Sequence, residues 1–98
     1  MEVEHEDPDL DRVEQDKSSS AGHGDAVDKA FRRRMQQIRS AADERDFYGI
    51  KSMHFEKLKG KRKHQCSMKL NDQWRLVVEL RGDAPRKRVT VIGIEDYH

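Results

Sequence analysis

Long hydrophobic runs are missing from this chain, and cysteine, proline and aromatic residues are scarce. A single cysteine, Cys66, among 98 residues excludes an internal disulfide and cannot by itself build a zinc site. The five histidines, His5, His23, His54, His64 and His98, show no metal-ligand spacing either, so neither a metal nor another cofactor is expected. No apolar run is long enough for a signal peptide or a membrane span, which favours a cytoplasmic protein without a membrane partner. Hydrophobic residues make up only 34% of the chain, against 40% charged. The length fits one domain, residues 1–98, and its core must be thin. A deep, dry active site is disfavoured on those grounds. A shallow site on an exposed face fits better, and it suits a large polymeric substrate.

What the chain has in quantity is charge, unevenly placed. Residues 1–28 carry ten acids against Arg12 and Lys17, a balance of −8. Residues 29–98 carry nine acids against eighteen lysines and arginines, a balance of +9. The net charge of +1 hides this polarity. A basic part of this kind faces a polyanion, while an acidic part faces solvent or a basic partner.

The hydrophobic pattern divides the chain into helices followed by strands. Met1 to His5 alternates and predicts a short strand at a sheet edge. Asp7-Pro8 reads as a helix cap followed by proline at the first helical position, with Leu10 and Val13 as a narrow apolar stripe. Ser18 to Gly24 is a loop by composition. Asp25 is the expected cap of the main helix, residues 26–42, whose core face is Val27, Ala30, Phe31, Met35, Ile38 and Ala42. From Met53 and Phe55 the period changes to two. Cys66, Met68 and Leu70 share one face of a strand, with Gln65, Ser67 and Lys69 on the other. Trp74, Leu76, Val78 and Leu80 alternate with Arg75, Val77 and Glu79 in the next strand, after a tight turn at Asn71-Asp72-Gln73. A second turn at Arg81 to Pro85 leads into a last strand from Arg88 to Ile94. The expected class is α+β, two N-terminal helices packed on one face of a small, mainly antiparallel sheet. Arg75, Lys69 and Ser67 then point from the face left bare. Lys59 and the last three residues are expected to converge on it.

Three stretches carry a resemblance to a known family: Phe55-Glu56-Lys57-Leu58-Lys59-Gly60, Leu70-Asn71-Asp72-Gln73-Trp74-Arg75 and Glu95-Asp96-Tyr97-His98. In order and spacing they resemble the HigB branch of the RelE/ParE toxin superfamily, over most of the chain. The resemblance implies a RelE/ParE-like fold and the toxin of a type II toxin–antitoxin pair. Its activity would be ribosome-dependent endoribonuclease cleavage of mRNA in the decoding site. It also implies a cognate antitoxin, a small HigA-like helix-turn-helix repressor. The positions matching the family's functional residues are Lys59, Arg75, Asp96, Tyr97 and His98.

Cleavage without a metal needs a deprotonated 2′-hydroxyl, a stabilised pentacoordinate phosphate and a protonated leaving oxygen. His98 is the natural acid, with Asp96 orienting it or acting as base. Arg75 offers planar, permanently charged donors to the phosphate, and Lys59 beside Gly60 adds a point charge. Tyr97 either stacks on a splayed base or packs on the sheet. Lys57, Lys61, Arg62, Lys63 and Lys69 form a basic stretch suited to the phosphates of rRNA and of mRNA on the ribosome. Trp74 and Cys66 read as core. The alternative on the same fold is a ParE-like toxin that binds gyrase and cuts no RNA.

Overall fold

The structure is a computed structural model that describes residues 1–83 and 87–96. The acidic segment opens with strand β1 (Glu2–His5) and helix α1 (Pro8–Gln15). Asp7 caps α1 as expected, its carboxylate accepting from the Asp9 amide at 2.9 Å, with Pro8 at the first helical position. Leu10 and Val13 are the buried stripe. At the far end Arg32 of the next helix donates to the carbonyls of Val13 (2.8 Å), Asp16 (3.1 Å) and Ser19 (2.8 Å). A cation there satisfies carbonyls that the helix end leaves unpaired and opposes the helix dipole.

Helix α2 (Asp25–Ser40) is the main helix, and both its ends differ from the sequence expectation. The residue at the N-cap is Gly24, with φ 101°, where glycine is favoured; Asp25 is the first helical residue and makes no capping bond. Its charge still lies where the helix dipole favours an acid. The buried carboxylate of Asp28 accepts from the Ala21 amide at 3.0 Å and so ties the preceding loop to the first turn. Val27, Phe31, Met35 and Ile38 are buried as expected. Ala41, not Ala42, closes the stripe, because the helix stops at Ser40 and the chain becomes extended. Arg34 is buried among them, donating to the carbonyls of Lys69 (2.8 Å) and Ser52 (2.6 Å). It pins α2 to the strand and turn below.

A short helix, α3 (Arg45–Tyr48), and a 3-10 turn (Lys51–Met53) lead into strand β2 (Glu56–Lys57). Strands β3 (Gln65–Lys69), β4 (Trp74–Arg81) and β5 (Arg88–Asp96) follow. The five-stranded sheet has the order β1-β5-β4-β3-β2, with β1 parallel to β5 and the other pairs antiparallel. The fold is thus α+β and mainly antiparallel, with β1 at an edge. The turn between β3 and β4 is held by the Asn71 side chain, which accepts from the amides of Gln73 (2.9 Å) and Trp74 (2.8 Å).

One irregularity decides which residues of β5 reach the core. Val77 pairs with Gly93 and Val78 with Val91, so the register shifts by one and Ile92 is passed over. Side chains alternate with period two, so without this shift Val89 and Val91 would turn away from the helices. With it, both are fully buried against Val78, Leu80 and the helical layer.

The acidic segment is also braced by charge. Glu14 of α1 accepts from Arg39 of α2 at 2.6 and 2.9 Å and lies 2.8 Å from the His5 ring of β1. The bond from Arg39, together with that from His5, holds the Glu14 carboxyl below its ordinary value despite partial burial. A lowered carboxyl pKa means stability that is present above the unfolded value, about 4.3, and is lost as pH falls through the folded one. Glu14→Gln is therefore expected to cost roughly 1.5–3 kcal/mol at pH 7, the range for hydrogen bonds to charged groups. It should also flatten part of the acid limb of stability, read from urea unfolding between pH 3 and pH 7. An unchanged acid limb would show that other carboxylates carry it.

Candidate functional site

The register sends Glu56, Gln65, Ser67, Lys69, Arg75, Glu79 and Glu95 to the sheet face away from the helices. Arg75 is the centre of this face and is only 7% exposed. Alternation along β4 puts it on the side away from the helices, as expected, but there it is buried and not exposed. The segment from His54 to Glu56 folds over its head. Its Nε donates to the Ser67 hydroxyl at 2.9 Å, and its Nη2 to the His54 carbonyl at 2.5 Å. The same nitrogen lies 3.4 Å from both the Ser67 carbonyl and a Glu56 carboxylate oxygen. A buried guanidinium that stays charged must be satisfied in this way, and the result is a cation of fixed orientation.

His54, Glu56 and Ser67 are the members of the site that sequence reasoning passed over as functional groups. His54 alone, among described non-glycine residues, has positive φ (45°). That conformation is uncommon for such a residue and costs about 1–3 kcal/mol, and here it aims the His54 carbonyl at Arg75. A carbonyl acceptor carries no side-chain signature. The available signals were Ser67, which alternation places on the Arg75 face, and Glu56, which directly precedes the basic stretch.

The basic residues divide between the two faces. Lys59, exposed, directly precedes the 3-10 turn Gly60–Arg62 and makes no side-chain capping bond; Gly60 has φ 68°. Arg62 swings onto the open face, bonded to Glu95 at 2.8 and 2.6 Å and to Gln65 at 2.9 Å. It fastens the loop to the end of β5. Lys69 lies 3.2 Å from Asp72. Lys61 and Lys63 are exposed on the loop, whereas Lys57 pairs in register with Cys66 and so belongs to the helical side. Trp74 is half-buried and packs on His23 with ring centroids 4.1 Å apart.

The end of β5 is brought only partly onto the Arg75 face. Glu95 is opposite Arg75, but Asp96 is opposite Trp74 and therefore out of phase with it. Gln73 Nε2 donates to Asp96 at 3.2 Å. Tyr97 and His98, the other two expected members, lie outside the described residues. Among the described residues one group, His5, Asp11 and Glu14, has metal-ligand atoms within 4.8 Å of one another. Arg39 already occupies both Glu14 oxygens, so this group serves as the brace described above.

Residues 3–91 match the family described as the RelE-like toxin of the type II toxin–antitoxin system HigB. This chain belongs to the HigB-like toxins. The matched span contains His54, Glu56, Lys59, Ser67 and Arg75, and ends before Asp96. A solved structure described as a YoeB/ParE toxin from Agrobacterium tumefaciens superposes on this HigB-like toxin with a TM-score of 0.63, at 16% identity. The superposition covers 100% of both chains and shows a shared fold. No curated protein matches the sequence. Membership of a type II toxin–antitoxin family implies an antitoxin as partner. No helix among the described residues is long and apolar enough to cross a membrane.

Proposed function

We propose that this HigB-like toxin is a ribosome-dependent endoribonuclease that cuts mRNA in the decoding site. The observation that carries the reading is the fixed, charged guanidinium of Arg75 on the open sheet face, next to the basic loop of Lys59 to Lys63. Attack of the ribose 2′-hydroxyl on the adjacent phosphorus forms a 2′,3′-cyclic phosphate and breaks the bond to the 5′-oxygen. Arg75 and Lys59 stabilise the charge that builds on the phosphoryl oxygens. His98 donates the proton to the leaving oxygen, Asp96 orients it or serves as base, and Tyr97 stacks on a base. Ser67 and Glu56 hold the Arg75 fork in place and act through it.

Lys57, Lys61, Arg62, Lys63 and Lys69 supply the phosphate contacts to rRNA and mRNA. Single changes of Lys61 or Lys63 to alanine are expected to weaken ribosome association modestly; several together should reduce it strongly, because such contacts accumulate. Ribosome pelleting at physiological salt reads this. A multiple variant that pellets like the parent would leave the loop a solvated face.

The partner in this reading is a HigA-like helix-turn-helix antitoxin, and both act in the cytoplasm. The fold shared with a YoeB/ParE toxin keeps the gyrase-binding alternative in view. Mapping 5′ ends of transcripts after brief expression, with and without translation, separates the two. Cuts confined to translated messages are expected. Growth arrest with DNA damage and intact messages would favour gyrase.

A further inference from the structure

Behind the basic loop, on the helical side of the sheet, lies a recess of about 380 Å³ that takes no part in the proposed cleavage step. Its walls come from α3 on one side and from β2 and the start of β3 on the other, with Lys87 at the rim. Cys66 and Leu80 line it from the sheet. Burial pushes the Cys66 thiol up, so it stays neutral and adds no charge to the site.

Two features of the walls select a ligand chemistry. The first is charge. Lys57, Lys63, Lys87, Arg45 and His64 all line the recess, against Glu44. Glu44 is bonded to Lys87, Arg45 lies 2.7 Å from Asp43, and His64 lies 3.6 Å from Glu79. Among the described residues no carboxylate lies within ion-pair distance of Lys57 or Lys63. The recess thus keeps two ammonium groups for an anion. The second feature is Tyr48, the exposed large hydrophobic side chain of the described residues, at 57% exposure. Its ring meets Phe55 edge-on, with centroids 5.1 Å apart at 84°, and Phe55 in turn rests on the buried Phe47 at 5.2 Å. Tyr48, more than half exposed, thus leans on an aromatic stack at the edge of a cationic recess.

A bare aromatic ring beside ammonium groups is the chemistry that takes a nucleotide: the base stacks, and the phosphate meets the cations. A recess of this volume suits a small ligand of that kind. We propose that this recess is a second RNA subsite, taking one unpaired nucleotide with its base on Tyr48 and its phosphate on Lys57 and Lys63. The inference rests on the reading of this toxin as one that acts on RNA. The loop from Lys59 to His64 runs around the end of the sheet, so one RNA strand can follow it from the Arg75 face to the recess. The nucleotide comes either from the message being cut or from rRNA beside it.

The test is an NMR titration of the full chain with uridine 5′-monophosphate, with uridine and with inorganic phosphate. The monophosphate should shift Tyr48, Lys57, Lys63 and His64 and bind about tenfold more tightly than phosphate. Tyr48→Ala should remove that advantage, a loss within the range for a base–aromatic stack, and Tyr48→Phe should retain it. A monophosphate that binds no better than phosphate would overturn the proposal and leave an anion site of the kind an acidic peptide fits. Shifts confined to Ser67 and Lys69, or an unaffected Tyr48→Ala, would overturn it as well. Association of Tyr48→Ala with empty ribosomes then identifies the source: a normal level with slowed cleavage on programmed ribosomes indicates message, a reduced level indicates rRNA. Nucleotide binding is read without cleavage. A chain that binds the monophosphate and never cuts would therefore sink the nuclease reading alone, and an active nuclease with an empty recess would sink this one.

Discussion

Arg75→Ala is expected to abolish growth inhibition and to lower single-turnover cleavage on programmed ribosomes by at least about 10²-fold. Removal of one preorganised donor to a developing oxyanion has that scale. The structure adds a second effect that period-two reasoning alone would not anticipate. Alanine leaves the His54 carbonyl and the Ser67 hydroxyl without the donor they have, and removes the ion pair to Glu56. The loss should be about 2–3 kcal/mol, the scale of charged hydrogen bonds, or roughly 10–20 °C of melting temperature in a domain of this size. Cleavage must therefore be assayed well below the variant's own melt. Arg75→Lys separates the two effects, because it keeps the charge but cannot reach Ser67 and His54 with one planar fork. It should recover only the part of the stability that rests on charge beside Glu56, and little of the activity. A folded alanine variant that still cuts at the parental rate would remove Arg75 from the chemistry and leave it a structural tie between β2, β3 and β4.

The other large effect is assigned to His98. His98→Gln preserves size and hydrogen bonding but cannot deliver a proton near neutral pH, so ribosome binding should persist while cleavage falls. A positioned acid contributes roughly 10²–10⁴-fold, or about 3–5 kcal/mol of barrier. Only a protonated imidazole can donate, so the rate is also expected to decline toward alkaline pH. That limb should disappear in His98→Gln. Single-turnover rates from pH 5.5 to pH 8.5, beside a thermal melt of each sample, test both statements. Cleavage within about threefold of the parent would mean that another group supplies the proton, with Asp96 the first candidate.

The antitoxin implied by family membership bears on both experiments, because a co-purified partner would mask either variant. Toxin freed of its partner is the proper sample, with Glu14→Gln as a control for folding losses remote from the Arg75 face.

Much of this architecture was legible in the residue order. Apolar spacing of three and four marked α2, and alternation marked β3 and β4 with the correct face for each residue, while β5 was legible as a strand only. Asp7-Pro8 marked the start of α1, and Asn71-Asp72-Gln73 the tight turn. These signals are local: a cap, a turn and an amphipathic stripe are each written within a few residues of one another. The side of the sheet that carries Arg75 followed from the same alternation. The separation of an acidic first quarter from a basic remainder was equally plain.

Pairing across the chain was not legible. Parallel alignment of β1 with β5, and the shift at Val77/Val78 that turns Val89 and Val91 inward, bring together residues more than eighty positions apart in one case and depend on a bulge in the other. Burial of Arg34 and Arg75 was hidden for a related reason. Arginine reads as surface in a sequence, and what permits its burial here is a set of backbone carbonyls at Ser52, Lys69 and His54, groups that every residue possesses. Their direction exists only once the chain is folded. The sequence alone therefore determined which residues bear the charge and, in β3 and β4, which face they take. The tertiary structure decided that Arg75 is held fixed by its neighbours, that Asp96 is out of phase with it, and that Lys57 and Tyr48 meet across a recess on the other side of the sheet.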